Sequence, residues 1–267
     1  MSRILRLALL LADTPAPSIV SKQGDYRVQF TRFLQSSIQK YKLDVRLKID
    51  PYDVVNEMAL PTEEGLKDID GIMITGSAAS AYSDVPWINN LTDFMKHVIN
   101  NHPRVRIVGI CFGHQIVARA MGGNVIKNPL GMELAVTEFE LTEDAKQFFK
   151  TNRNGIKIQE MHQDYVSEIP PNFVNLGSTS MCSVQGLLKP SHVLTVQGHP
   201  EFTAAVVKGI LKARGEIGVF SPEVVEKYSA RAELEHDGIW LGKTFIEFIL
   251  DGEVKADDET EDATCHM

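Results

Sequence analysis

The chain has 267 residues, 43% hydrophobic and 23% charged, with a formal net charge of −8. That length supports a single large domain with its own core, and the composition excludes a disordered chain, a collagen and a coiled coil. No apolar run approaches the roughly 20 residues of a membrane span, and the acidic balance argues against a nucleic-acid binder held by phosphate contacts.

Residues 4–12 loosely resemble a signal peptide behind Arg3 and Arg6, but the unbroken apolar stretch, 7–12, is short and Asp13 ends it. A buried first strand is expected there, followed by a loop through Pro15 and Pro17. Residues 26–41 place Phe30, Phe33, Leu34, Ile38 and Tyr41 on one helical face. Val45, Leu47 and Ile49 alternate with polar residues as in a strand. Residues 71–75 read as a short buried strand and Ile88, Leu91, Met95 and Val98 as an amphipathic helix. Residues 105–110 give a second buried strand, and 115–121 a helix closed by Gly122 and Gly123. This alternation predicts a largely parallel sheet with helices on both faces. The middle differs: 133–141 and 156–161 read as strands with few helices between, an antiparallel extension of the sheet. Residues 193–196 return to a buried strand, and helical stretches follow near 203–214, 222–235 and 239–250.

Residues 251–267 hold seven acids and one lysine, a net of −6, which leaves only −2 for residues 1–250. A segment with so few large apolar residues cannot offset the entropy of ordering it. The expectation is one domain over 1–250 and an acidic, disordered tail over 251–267. Three cysteines, Cys111, Cys182 and Cys265, make no disulfide framework and suit a reducing, cytoplasmic setting.

The most informative segment is Gly109-Ile110-Cys111-Phe112-Gly113-His114-Gln115. A buried strand runs through a G-x-C-x-G turn into a helix, the thiol counterpart of the G-x-S-x-G nucleophile elbow. The glycines relieve crowding at the sharp turn. Cys111 then stands at the carboxyl edge of the sheet and at a helix N-terminus, where the dipole favours the thiolate. The Phe112 amide would serve as one oxyanion donor. A base is available in Gly198-His199-Pro200-Glu201-Phe202, which follows another apolar strand. In an extended segment His199 and Glu201 share a side, so Glu201 can orient the ring while His199 takes the thiol proton. The small-residue loop Thr75-Gly76-Ser77 can aim amides at a developing oxyanion. Cys111 and His114 have a ligand-like spacing, but no second pair completes a zinc pattern, so no metal is expected.

Together, residues 109–115, 198–202 and 75–77 resemble the class I glutamine amidotransferases, in the same order and over about residues 5–205. Gly131-Met132-Glu133 and residues 161–166 resemble segments of that family's stand-alone, GMP-synthetase-like subgroup, which includes fungal proteins and the plant γ-glutamyl peptidases. The resemblance implies a flavodoxin-like α/β fold and a Cys111–His199–Glu201 triad. It implies oxyanion donors at Ser77 and Phe112, and Gly76, Gln115, His162 and Asp164 near the substrate. Where the family often has Gly-Gly, this chain has Gly76-Ser77, which keeps the backbone donor. The implied reaction is cleavage of a γ-glutamyl amide through a thioester, with no cofactor. The substrate is glutamine, with a separate synthetase subunit as a possible ammonia acceptor, or a γ-glutamyl peptide such as glutathione. A non-catalytic regulatory protein with the same fold is the alternative from another class.

Overall fold

The computed structural model describes residues 2–256. The chain opens with β1 (Arg3–Leu11), then α1 (Pro17–Gln23), α2 (Tyr26–Lys40), β2 (Val45–Asp53) and a single helical turn, α3 (Gly65–Asp68). It continues through β3 (Gly71–Ile74), α4 (Pro86–Asn101), β4 (Arg106–Ile110) and α5 (Phe112–Ala120). The middle comprises β5 (Asn124–Lys127), β6 (Glu133–Leu141), α6 (Glu143–Phe149), β7 (Gly155–His162), β8 (Asp164–Glu168), β9 (Val174–Ser178) and β10 (Gly186–Lys189). It ends with β11 (Val193–Val196), α7 (Ala204–Glu216), α8 (Pro222–Arg231) and α9 (Gly238–Asp251).

The main sheet has the order β2-β1-β3-β4-β11-β10-β9-β6-β7. Its first five strands are parallel. From β10 onward every pairing is antiparallel. The parallel core and its antiparallel extension follow the expectation from sequence. Strands β5 and β8 form a separate two-stranded sheet.

Alternation along β1 builds two cores. Leu5, Leu7 and Leu9 pack with Phe30, Phe33 and Leu34 of α2 and Phe245, Ile246 and Ile249 of α9. Ala8 and Leu10 pack on the other face with Ile88, Leu91 and Met95 of α4 and Ile116 and Val117 of α5. A strand buried on both faces has no polar side to show, hence the unbroken apolar run near the N-terminus. A third cluster joins α7 and α8 to Leu134 and Ala135 of β6 and to Phe202. Among the described residues no helix is long and apolar enough to cross a membrane.

Two expectations are corrected. Pro17 does not extend a loop: it opens α1, where a missing N–H is no loss and its fixed φ suits a helix. The expected tail begins too early. Asp251 ends α9, Gly252 closes it at φ 75°, and Val254 is 2% exposed. The Lys255 amide donates to Glu247. Residues 257–267 lie outside the described residues. Replacing Val254 by Ala removes two buried methyl groups and is expected to cost about 1.5 kcal/mol, measured by urea unfolding. A change below a few tenths would show that this segment does not pack on the body.

Candidate active site

The parallel strands β1, β3, β4 and β11 all point their carboxyl ends to one edge, and a polar constellation gathers there. Cys111 follows β4 directly, with φ 52° and ψ −103°, a conformation L residues rarely adopt. The turn is held by close backbone approach. A Cβ on Gly109 would lie 2.7 Å from the Gly113 carbonyl carbon, and one on Gly113 would lie 2.6 Å from the Ile74 carbonyl oxygen. Both glycines are therefore required by space, as the elbow pattern suggests.

His199 follows β11 and is held from three sides. Its amide donates to the Gln159 carbonyl at 2.7 Å. Its ring stacks on Phe202 with centroids 4.0 Å apart and planes 5° from parallel. Its Nδ1 donates to Glu201 Oε1 at 2.8 Å. His199 and Glu201 are 4% and 5% exposed. Burial disfavours a charged ring, but the Glu201 carboxylate and the Cys111 sulfur outweigh it and hold the His199 pKa well above that of an ordinary imidazole. The structure thus brings Cys111, His199 and Glu201 into one chain of contacts.

The loop after β3 closes over this group. Gly76 approaches so near that a Cβ there would sit 2.5 Å from His199 Cε1. The Asp13 carboxylate, at the end of β1, accepts the Ala78 amide at 2.7 Å and the Thr14 amide at 2.7 Å. Thr75 Oγ1 accepts the Ala12 amide at 3.0 Å. With Ala78 bound to Asp13, the neighbouring Ser77 amide has no acceptor among the described residues; the same holds for Phe112. Asp13 was not anticipated from sequence, although its place just beyond the first parallel strand could have suggested it. Asp13→Ala is expected to lower kcat about tenfold or more by loosening this loop, with a stability loss of about 1.5–3 kcal/mol. Steady-state kinetics beside urea unfolding would check both, and an unchanged kcat would contradict the positioning role.

The remaining expected residues lie on another side. Gln115 Nε2 donates to the Asp164 carbonyl at 2.9 Å and to Gln197 Oε1 at 3.1 Å. Asp164 Oδ1 meets the Tyr82 hydroxyl at 3.4 Å. His162 Nδ1 donates to the Asp164 carbonyl, while Nε2 faces Glu133 at 3.2 Å and Glu160 at 3.3 Å. Burial opposes charging the His162 ring, but the two carboxylates prevail and raise its pKa to about 10. Burial pushes the Glu160 carboxyl up. Glu133 is held low despite burial, because it accepts from His162, Thr179 and Gln185. His114 bonds Thr195 at 2.7 Å instead of joining Cys111, and burial lowers its pKa to about 3.

Two groups place metal-ligating atoms within 4.8 Å of one another: exposed Glu63, His97 and His102, and buried Glu133, His162 and Cys182. In the second, Glu133 is already occupied by Thr179, Gln185 and His162.

A cavity of about 320 Å³ opens beside His199 and Ser77 and is lined also by Asp13, Tyr26, Gln29 and Arg214. Cys111, Gln115, His162 and Asp164 do not line it.

Comparison with known proteins gives the family and the fold. The family model for "Glutamine amidotransferase class-I" matches residues 24–212. A glutamine amidotransferase-like protein of Schizosaccharomyces pombe is 41% identical over 246 residues, covering 92% of this chain and 98% of the relative. Gamma-glutamyl peptidase 4 of Arabidopsis thaliana is 31% identical over 208 residues, covering 76% and 78%. Among solved structures, a glutamine amidotransferase from Thermotoga maritima shares the fold at a TM-score of 0.67 and 17% identity, covering 92% and 98%. The chain belongs to the class I glutamine amidotransferase family.

Proposed function

We propose that the chain hydrolyses γ-glutamyl amide bonds with Cys111 as nucleophile, His199 as general acid and base, and Glu201 as the group that orients His199. The observation that carries this reading is the buried Cys111–His199–Glu201 chain of contacts, with the His199 ring clamped at 2.8 Å to Glu201 and stacked on Phe202. Family membership and a γ-glutamyl peptidase relative support the reaction class.

His199 takes the Cys111 proton, and the sulfur attacks the γ-carbonyl carbon. The C–S bond forms while the carbonyl electrons move to oxygen, where the Ser77 and Phe112 amides receive the charge. On collapse the C–N bond breaks, and His199 gives its proton to the leaving nitrogen. Water then loses a proton to His199 and attacks the γ-glutamyl thioester. Glutamate leaves, the proton returns to sulfur, and one water has been consumed. Glu201 stays ionised throughout and favours the charged ring formed in each half-reaction.

The test is glutamate release by the purified chain from glutamine and from a panel of γ-glutamyl peptides. Release from either class supports the reading. Silence on all of them, with the fold intact by circular dichroism, contradicts it.

A further inference from the structure

Resting on the γ-glutamyl reading above, we infer that the cavity beside His199 is a leaving-group site for an α-amino acid or short peptide with a free carboxylate, and that Arg214 reads that carboxylate. The proton for the leaving nitrogen comes from His199, so the departing group must lie on the His199 side of the reacting carbonyl. The cavity touches His199 and Ser77 but none of Cys111, Gln115, His162 and Asp164. Its volume of about 320 Å³ far exceeds what ammonia needs, a molecule comparable to a water at about 30 Å³. It lies instead in the range of small-molecule sites.

The lining suits a peptide. The Asp13 carboxylate keeps its charge, but both of its oxygens already accept backbone amides, those of Thr14 and Ala78. Arg214 is different: half-buried on α7, its guanidinium lies over the Phe220 ring at 6.0 Å and has no ion-pair or hydrogen-bond partner among the described residues. A planar guanidinium with open donors matches a carboxylate. Gln29 is 4% exposed; its Nε2 donates to the Gly24 carbonyl, leaving a buried Oε1 with no donor. That oxygen can accept an amide N–H or ammonium of the departing group. Tyr26 also lines the cavity, and burial and the nearby acids raise its pKa, so it remains a hydroxyl donor. A carboxylate, an N–H and a further acceptor are what an amino acid or dipeptide offers; ammonia offers no anion for Arg214.

The experiment compares γ-glutamyl dipeptides and tripeptides bearing a free C-terminal carboxylate with the same compounds amidated, in wild type, Arg214→Met and Arg214→Lys. Wild type is expected to prefer the free acid by about 10- to 100-fold in kcat/KM. Arg214→Met should erase that preference and Arg214→Lys restore part of it. Thermal melting checks that each variant is folded. Equal turnover of acid and amide by wild type, or a preference unchanged in Arg214→Met, overturns the assignment. Hydrolysis of glutamine but of no peptide overturns it while leaving the γ-glutamyl reaction standing. No hydrolysis of any γ-glutamyl compound overturns both.

Discussion

Cys111→Ala is expected to lower glutamate release at least about 10⁴-fold, with the chain still folded. Without sulfur there is no covalent intermediate, and His199 and Glu201 are left with no nucleophile to activate. The same position carries a second, opposite expectation for stability. Cys111 sits at φ 52° and ψ −103°, where a Cβ is strained. Alanine keeps that strain and glycine removes it, so Cys111→Gly should be more stable than Cys111→Ala by about 1 kcal/mol. Both variants should be inactive. A Cys111→Ala protein with more than a hundredth of wild-type turnover would remove Cys111 from the mechanism. A glycine variant less stable than the alanine one would show that the turn is not strained.

The largest stability effect is expected at His162. Its ring is 4% exposed between Glu133 and Glu160, themselves 5% and 0% exposed. Removing the ring takes from both buried carboxyls the cation they share. His162→Leu is therefore expected to cost about 3–5 kcal/mol near neutral pH, or roughly 6–20 °C in melting temperature. The pH dependence has a defined sign. The folded His162 pKa, about 10, lies above the unfolded imidazole value. Its stabilisation is therefore fully present below about pH 6.5 and is lost as pH rises toward 10. In the variant both carboxyls lose their partner and shift upward, so they take up protons more readily, and the deficit should shrink at pH 5. Urea unfolding of both proteins at pH 5, 7 and 9 checks this; a deficit below 1 kcal/mol at pH 7 would contradict it.

Most of the parallel half of the fold was legible because each strand there is a contiguous apolar run and each helix a 3.6-residue stripe, as in residues 71–75 and Ile88 to Val98. Some short elements escaped. Helix α6 has seven residues and buries only Ala145 and Phe149, although Thr142 caps it by accepting the Ala145 amide. Strand β10 is four residues long, and its pairing with β9 slips at Gly186. At the site, Cys111, His199 and Glu201 stood out because local spacing sets their geometry. Asp13, Tyr26, Gln29 and Arg214 did not, since they come from three separate segments and meet only when α2 and α7 pack beside the ends of β1 and β11. The Glu133–Glu160–His162 cluster was hidden for a related reason: it needs β6 and β7 paired so that Glu133 stands opposite His162.

In the proposed reaction a γ-glutamyl group becomes attached to one sulfur, that of Cys111. A glutamine analogue carrying an electrophilic ketone in place of the amide, followed by peptide mass mapping, measures this directly. The expected result is one adduct per chain, on the peptide containing Cys111, slowed by added γ-glutamyl substrate and absent from Cys111→Ala. Labelling at Cys182 or Cys265 instead, or labelling at Cys111 that substrate does not slow, would contradict it.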